Sequence, residues 1–177
     1  MKFELKKNMK KIIIMMMAAL LVAACATLTP EEKAAREAAV KEGVKTAVAS
    51  QKFKINVNSV TPLRGTNRSL SGPFLSVDSN RVECYLPYVG LDDIPHMKTP
   101  AEVRMTSKIE IRSEMSDYLL AIDPVDERAV ITFKASDLGV DYKFTINIEN
   151  TGHAKIHVDP DKRDEIDYEG YVVVKKK

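Results

Sequence analysis

The sequence predicts an all-β fold: a single antiparallel sandwich or partly open barrel of about 8 strands, preceded by a signal peptide and an N-terminal helix. From Lys52 almost to the C-terminus, apolar residues alternate with polar ones, as in strands with one wet face. Short segments rich in Gly, Asn, Asp and Pro separate these runs. Short connections require antiparallel neighbours, because parallel strands need long crossovers. With 45% apolar residues, the 177-residue chain can fill one packed core.

Residues 1–24 have the features of a secretory signal peptide. Five lysines lie within the first 11 residues, and the 15 residues from 12 to 26 carry no charge. A helix of that length rises about 22 Å, which is too short for a hydrocarbon core of about 30 Å. A basic start, a short apolar run and small residues at its end are typical of a cleaved leader.

The leader ends in Val22-Ala23-Ala24-Cys25, which resembles a bacterial lipobox. This resemblance implies that the leader is cut before Cys25, that the thiol takes a diacylglycerol, and that the new amine is acylated. Several acyl chains such as palmitate, at about 0.8 kcal/mol per buried methylene, make an effectively permanent membrane anchor. Ala26 stands where an inner-membrane retention signal would have Asp, so we expect the outer membrane, with the protein facing the periplasm. The alternatives are an ordinary signal peptide cut nearby and an uncleaved anchor.

Residues 25–50 are predicted to form a lipid-anchored helical stalk. Thr29 can cap the helix, Pro30 suits its first position, and Glu32 completes a capping box. The Ala-rich sequence that follows carries a narrow stripe of small apolar residues: Val40, Val44, Ala47 and Val48. This stripe can bury little area, so the helix could lie against the β-domain or act as a spacer of about 30 Å from the membrane. We favour a docked or semi-detached helix, and the pattern leaves the docking open.

Residues 51–177 form the predicted β-domain. Phe53, Ile55 and Val57 alternate with Lys and Asn, which describes a first strand that starts at Lys52. The same period predicts further strands at residues 73–78, 81–87, 103–115, 118–122, 128–136, 141–149, 153–158 and 165–174. Turn residues separate several of them: Ser79-Asn80, Asp137-Leu138-Gly139, Asn150-Thr151-Gly152 and Asp159-Pro160.

Charge and composition exclude two classes of protein. The net charge of +2 becomes −2 beyond Ala24, because removing the leader's five Lys and one Glu leaves 22 basic and 24 acidic residues. Nucleic-acid surfaces need a clustered positive excess, so we expect no nucleic-acid partner. Two cysteines allow at most one bridge, which excludes a disulfide-stapled scaffold. The sequence has no P-loop, Gly-x-Ser-x-Gly elbow or dinucleotide fingerprint, so no cofactor is predicted.

Three groups of reactive residue types have simpler structural interpretations. His153 and His157 are four apart on a predicted strand and therefore about 13 Å from each other, too far to chelate one zinc ion. The acidic residues from Asp159 to Asp167 lack the central Gly of a calcium loop and are better explained by a hairpin turn. Cys84 shares its strand face with apolar neighbours, so we expect a core residue. No catalytic residue and no metal site are predicted.

Regular β-structure does not explain the segment at residues 62–70. Between two strands it contains Arg64 and Arg68 together with Thr, Asn and Ser. Guanidinium groups and loop amides could hold a carboxylate or a phosphate. The alternative is an ordered loop whose arginines cover the sheet or bond carbonyl groups.

A second unexplained segment covers residues 85–100. It begins with Tyr85 and Tyr88, and it has no β-period. Long connections in compact domains are often functional, and this one also contains three residues that could do acid–base work: Asp92, Asp93 and His96. A Pro-braced loop that closes one end of the sheet is the alternative.

These two segments, in this order, resemble a bacterial lipoprotein family, domain of unknown function (DUF) family 4251. The resemblance is carried by Asn58, Pro62-Leu63-Arg64-Gly65, Arg68-Ser69-Leu70, Tyr85-Leu86-Pro87-Tyr88, Gly90, Ile131-Thr132-Phe133-Lys134, Gly152, Ile166, Tyr168 and Gly170. It covers residues 51–174. Cys84 departs from the pattern, and so does Leu91-Asp92-Asp93, where aromatic or basic character is expected. The resemblance implies a secreted, lipid-anchored β-domain and brings no established activity.

The leading hypothesis for the function is a non-enzymatic envelope protein, anchored by lipid on Cys25, whose β-domain binds a partner protein or a small ligand. The residues expected at such a site lie at one end of the sheet: Arg64, Arg68, Tyr85 and Tyr88. A competing hypothesis is an envelope hydrolase that uses His96 with Asp92 or Asp93. A third is a structural scaffold at the outer membrane.

Overall fold

A computed structural model of the chain describes residues 29–63, 66–88 and 108–174. The chain divides into two compact units, Met1–Arg36 and Glu37–Lys177. The described part contains one helix, α1 (Pro30–Ala49), and one ten-stranded antiparallel sheet. The all-β prediction is confirmed, and of its two alternatives the structure has the barrel, because the sheet curves until it is nearly closed.

The strands are β1 (Lys52–Pro62), β2 (Arg68–Ser69), β3 (Phe74–Asp78), β4 (Arg81–Pro87), β5 (Lys108–Glu114), β6 (Ser116–Ile122), β7 (Ala129–Asp137), β8 (Val140–Ile148), β9 (His153–Pro160) and β10 (Ile166–Val172). They pair in the order β5-β4-β3-β1-β10-β9-β8-β7-β6, and β2 also pairs with β1. The end strand β5 contacts β7, which brings the two ends of the sheet together.

The predicted strands agree with the observed ones except at the first connection. Residues 62–70, which the alternation left unexplained, contain the end of β1 and the short strand β2. Two residues are too few to show a period, so the sequence gives no sign of β2. A bulge in β1 also interrupts its alternation, since Val57 and Val60 are both buried although they are three residues apart. Of the predicted strand at 103–115, residues 103–107 lie outside the described part.

The bulge in β1 requires a glycine in β10. Asn58 is the extra residue of the bulge, and its neighbour Val57 pairs with Gly170. A Cβ on Gly170 would overlap the carbonyl oxygen of Asn56 and would lie 2.9 Å from the Cα of Val57. Both obstacles are backbone atoms, which cannot rotate away as a flexible side chain can. Glycine is therefore the residue that lets the two strands approach this closely.

Apolar side chains fill the inside of the barrel. Among the described residues, no charged residue and no Ser, Thr, Asn, Gln or His is buried. Phe133 and Phe144 stack at the centre with their rings 4.8 Å apart. The other large side chains that are fully buried are Tyr168, Ile55, Leu75, Leu86, Ile109, Ile111, Ile131, Ile146, Ile148 and Ile156. This packing leaves the outer face and the ends of the barrel for polar chemistry.

The helical residues of the second compact unit pack on the barrel. Val44 and Val48 are buried with the core. A Cβ on Gly43 would overlap the side chain of Val174, so the helix backbone runs close to the end of the sheet. The sequence left the docking of the helix open, and these contacts place its C-terminal half against the β-domain.

Local signals in the sequence are matched by local geometry. The predicted capping box is confirmed: the Glu32 amide donates to Thr29 Oγ1 (3.2 Å), and the Thr29 amide donates to Glu32 Oε2 (2.9 Å). Three of the four predicted turns contain residues with positive φ, namely Ser79 (56°), Leu138 (49°), Gly139 (78°) and Gly152 (86°). The fourth prediction was wrong in position, because Asp159 and Pro160 are the last residues of β9 and the turn follows them. In the part of the chain that the structure describes, no helix is long and apolar enough to span a membrane.

Candidate functional site

The residues that the sequence suggested for a site are only partly described. Arg64 lies outside the described residues, and so do Cys25, Asp92, Asp93 and His96. Of the remaining three, Arg68 lies on β2, Tyr85 lies on β4, and Tyr88 follows directly after β4.

Tyr85 belongs to a group of aromatic and lysine side chains on the outer face of the barrel. The two-residue turn Ser79-Asn80 sets the register of β3 and β4, so that Phe74 lies opposite Tyr85. β1 pairs with β3 on one side and β5 pairs with β4 on the other. These pairings bring Lys54 to the ring of Phe74 and Lys108 to the ring of Tyr85. We call these four residues the aromatic patch.

The two lysines of the aromatic patch lie over the rings. Nζ of Lys54 is 4.3 Å from the centroid of the Phe74 ring, and Nζ of Lys108 is 5.7 Å from that of Tyr85. A cation over a ring is attracted by the ring's quadrupole, which contributes about 0.5–1 kcal/mol at exposed sites. The side chain of Tyr85 is nevertheless 45% exposed, so a binding partner can still reach this ring.

Ion pairs border the aromatic patch. Lys108 donates a hydrogen bond to Glu110, which raises the pKa of the lysine and lowers the pKa of the glutamate. One row along the sheet, Arg112 pairs with Glu83 of the neighbouring strand. Because these groups are exposed, the pairs contribute little to stability. They give the patch a border that carries both signs of charge.

Tyr88 makes its contacts at the end of the barrel. Its hydroxyl donates a hydrogen bond to the carbonyl oxygen of Asp164 (2.9 Å), and the guanidinium of Arg163 lies 5.3 Å from the centroid of its ring. The buried Tyr168 donates a hydrogen bond to the carbonyl oxygen of Pro87 (3.0 Å). The chain at the end of β4 is thereby held against the β9–β10 hairpin. Tyr85 and Tyr88 thus contact different parts of the barrel although they are close in sequence.

Arg68 lies apart from the aromatic patch. It is exposed on β2, opposite Val60 of β1. Phe74 pairs with Asn56, four residues earlier on β1, which corresponds to roughly 13 Å along a strand. Arg68 is therefore separated from the aromatic patch along β1, and its pairing with the buried Val60 puts it on the inward-facing side of the sheet, whereas the patch lies on the outer side.

Cys84 faces the inside of the barrel, as predicted. Its side chain is 1% exposed, and burial raises the pKa of the thiol to about 12. The thiol therefore stays protonated at neutral pH, whereas nucleophilic attack requires the thiolate.

The two histidines of β9 contact separate partners. Nδ1 of His157 is 2.8 Å from Oδ1 of Asp167 on the facing strand β10. The ring of His153 packs at a tilt against Tyr171, with the centroids 5.3 Å apart. Both side chains lie on the outer surface of the sheet, where they take part in cross-strand pairs.

The acidic residues after β9 border a hairpin turn, as predicted. β9 ends at Pro160, and β10 begins at Ile166 and pairs back with β9. The Asp161 amide donates to the carbonyl oxygen of Asp141 (2.9 Å), and the Asp161 carboxylate accepts from the Asp141 amide (3.1 Å). Over residues 29–63, 66–88 and 108–174, no three His, Cys, Asp or Glu side chains are grouped so that they could hold a metal ion.

Comparison with known families places this chain. A family model described as "Domain of unknown function (DUF4251)" matches residues 35–172, which is most of the sequence. The chain belongs to the DUF4251 family. The resemblance seen in the Arg-Gly and Leu-Pro-Tyr segments is therefore confirmed. The matched region of this DUF4251 protein begins within α1, so it includes the docked half of the helix as well as the barrel.

A solved structure of another DUF4251 protein has a similar fold. The crystal structure of a DUF4251 family protein from Bacteroides eggerthii aligns with a TM-score of 0.62 at 14% sequence identity. The alignment covers 79% of this chain and 91% of that one. At this identity the likeness shows the fold alone. Among curated proteins, no sequence matches this chain.

Sequence reasoning missed three residues of the aromatic patch in this DUF4251 protein: Lys54, Phe74 and Lys108. The pairing of Phe74 with Tyr85 could have been inferred from the sequence, because a two-residue turn fixes which residues of a hairpin face each other. No feature of the sequence indicates that the two lysines lie over these rings. They reach the rings through pairings of β1 with β3 and of β4 with β5, and long connections leave the register of these pairs unspecified.

Proposed function

We propose that this DUF4251 protein is a lipid-anchored envelope protein whose barrel binds a partner protein through the aromatic patch and catalyses no reaction. One observation carries the proposal: the hairpin of β3 and β4 buries Leu75 and Cys84 on its inner face and presents Phe74 and Tyr85 on its outer face. Aromatic side chains on an outer face have no role in the core of the barrel. Binding is the role that best accounts for them.

A partner protein suits this surface better than a small ligand does. Small-molecule sites are concave and enclose most of the ligand, whereas the outer face of a barrel is convex. In protein interfaces, tyrosine is enriched among the few residues that dominate the affinity, and these lie at the centre of a polar rim. Tyr85 has such surroundings, with the Lys108–Glu110 and Glu83–Arg112 pairs at its border.

The anchor is the second part of the proposal and rests on the sequence. Cys25, outside the described residues, would carry the acyl chains, and four residues separate it from the start of α1 at Pro30. The β-domain would then be held at the outer membrane, facing the periplasm.

Affinity capture from solubilised envelopes tests the binding part of the proposal. We expect Tyr85→Ala to reduce the recovery of the partner about thirtyfold, the effect of losing about 2 kcal/mol at an interface hot spot. Val125→Ala is the control, since Val125 is 86% exposed and lies between β6 and β7, away from the cross-strand row that contains Phe74 and Tyr85. Equal recovery with both variants would contradict the proposal. So would a large fall in melting temperature for Tyr85→Ala, because the residue would then be structural.

Metabolic labelling with a fatty acid tests the anchor. Cells that express the full chain should incorporate labelled palmitate into the wild-type protein and into Cys84→Ala, but not into Cys25→Ala. The two substitutions are matched in chemistry and differ in the predicted lipid attachment. Retention of label by Cys25→Ala would show that this cysteine is not the acylation site.

A further inference from the structure

The two end strands of the sheet differ in sequence and in surroundings. β5 reads KIEIRSE and β6 reads SDYLLAI. β5 pairs with β4, contacts β7, and carries four charged residues in its seven. β6 pairs with β7 alone among the described residues and carries one charged residue. End strands expose backbone groups that can pair with another chain, and charges on the strand are a common protection against such pairing. β5 has this protection, and most of β6 lacks it.

The side chains of β6 are exposed to an unusual degree for apolar residues in a sheet. The exposed fraction is 68% for Leu119 and 56% for Ile122. Ile122 pairs with the buried Ala129 and therefore lies on the side of the sheet that faces the core. The hydroxyl of Tyr118 is buried with no hydrogen-bond partner among the described residues. Among the described residues, both the open edge of β6 and the inward-facing Ile122 are thus left uncovered.

We propose that β6 pairs with β6 of a second copy of this chain, antiparallel and centred on Leu120, to form a two-fold symmetric dimer. A two-fold axis normal to the sheet places a residue opposite itself, so that Leu120 faces Leu120 of the other copy. Tyr118 then faces Ile122 in both directions. Aromatic and β-branched residues are a favourable cross-strand pair, and this pair covers the exposed Ile122 side chain. The five residues from Tyr118 to Ile122 carry no charge.

The ends of the pairing are set by a bulge and by two aspartates. Asp117 lies in the bulge between Ser116 and Leu119, and Asp123 follows β6 directly. The proposed register brings these carboxylates opposite each other. Each is already engaged within its own chain: Asp117 is 2.7 Å from Nζ of Lys134, and Asp123 accepts a hydrogen bond from the amide of Val125 (2.9 Å). The aspartates therefore limit the pairing to the uncharged segment.

A second copy fits β6 better than an open chain of subunits does. Pairing of β6 with β5 of the next copy would repeat indefinitely and build a filament, as heterologous contacts do when they do not close. The charged residues of β5 and its contact with β7 oppose that arrangement. Pairing of β6 with β6 of a second copy uses the open β6 edge of each copy in a single contact, so the assembly stops at two chains.

Disulfide cross-linking in intact cells that express the full chain tests the proposal. Leu120→Cys should form a disulfide-linked homodimer, because residues directly opposite each other have Cα atoms about 4.5–5.5 Å apart, within disulfide range. Leu119→Cys should not, since its own copy lies diagonally across, about 7–8 Å away. Random collision would favour the opposite order, because Leu119 is the more exposed of the two. The wild type and Leu138→Cys, at a 75% exposed turn residue, give the background.

A second variant tests the same contact without cysteine. Ile122→Asp puts a carboxylate opposite Tyr118 of the other copy and next to the aspartates at the ends of the pairing, and should raise the dimer dissociation constant of the detergent-purified protein at least about tenfold. Leu138→Asp, which adds the same charge on the β7–β8 turn, should leave it unchanged. Four outcomes would overturn the proposal: no cross-link at Leu120, a yield no higher than at Leu119, a cross-link to a different protein, or a monomeric wild type.

Discussion

Neighbouring residues of the β3–β4 hairpin lie on opposite faces of the sheet, one face turned to the core of the barrel and the other to its outer surface. Leu75 and Cys84 form its inner cross-strand pair and are almost completely buried, while the next pair, Phe74 and Tyr85, lies outside under two lysines. The inner pair belongs to a core with no buried charge in the described part. The inner face therefore secures the fold, whereas the outer face is the surface that we propose binds a partner. Substitutions on the two faces should therefore have different consequences.

Matched phenylalanine truncations should separate the two faces most widely. Phe144→Ala removes a fully buried ring that stacks on Phe133, and we expect it to lower the free energy of unfolding by about 3–5 kcal/mol. Phe74→Ala removes an outer ring and one contact with Lys54, for which about 1 kcal/mol is expected. Urea denaturation followed by circular dichroism measures both. Equal losses would mean that the outer ring is part of the structural core.

The glycine opposite the bulge tests how tightly the inner face is built. Gly170→Ala would drive a Cβ into the backbone of β1, so we expect a loss of about 1–3 kcal/mol in the free energy of unfolding. Glu169→Ala, at the neighbouring outward position of β10, should change it by about 0.5 kcal/mol or less. The same denaturation experiment applies. A neutral Gly170→Ala would show that the strands can move apart without cost.

The burial of the Cys84 thiol makes the free energy of unfolding depend on pH. Burial raises the pKa of Cys84 in the folded protein to about 12, above the value of about 8.5 for an exposed thiol. The unfolded chain therefore loses this proton at a lower pH than the folded protein does. The contribution of the thiol to the free energy of unfolding is fully present below about pH 8.5 and is lost as the pH rises towards 12. Between pH 8 and pH 10 we expect the wild type to lose about 1–2 kcal/mol more than Cys84→Ala does. Parallel pH profiles of the two proteins would contradict this burial.

Removing the unpaired hydroxyl of Tyr118 should stabilise the fold slightly. This group is buried without a hydrogen-bond partner in the described part of the chain, and burial raises its pKa. Tyr118→Phe keeps the ring that stacks on Phe133 and should raise the free energy of unfolding by about 1 kcal/mol. Thermal unfolding measures the change, and a loss of similar size would instead reveal that the hydroxyl has a partner.

The sequence predicted the fold class and most strands because each of them carries its own local signal. The alternation of β8, the turn at Ser79-Asn80 and the capping box at Thr29 are all set by neighbouring residues. β2 and the bulge at Asn58 were missed, since they depend on pairing with distant strands. The site was harder still. Tyr85 stood out in its Leu-Pro-Tyr segment, whereas the lysines that lie over the rings are brought there only by the strand order.

Site-specific photo-cross-linking tests most directly whether the outer face recognises a partner. A photoreactive phenylalanine analogue at position 85 is compared in living cells with the same analogue at position 125, an 86% exposed position between β6 and β7. We predict a discrete adduct at position 85 that is absent at position 125 and is lost when Phe74→Ala is added. The same adducts at both positions, or an adduct at position 85 that survives Phe74→Ala, would contradict the assignment of the aromatic patch as the binding surface.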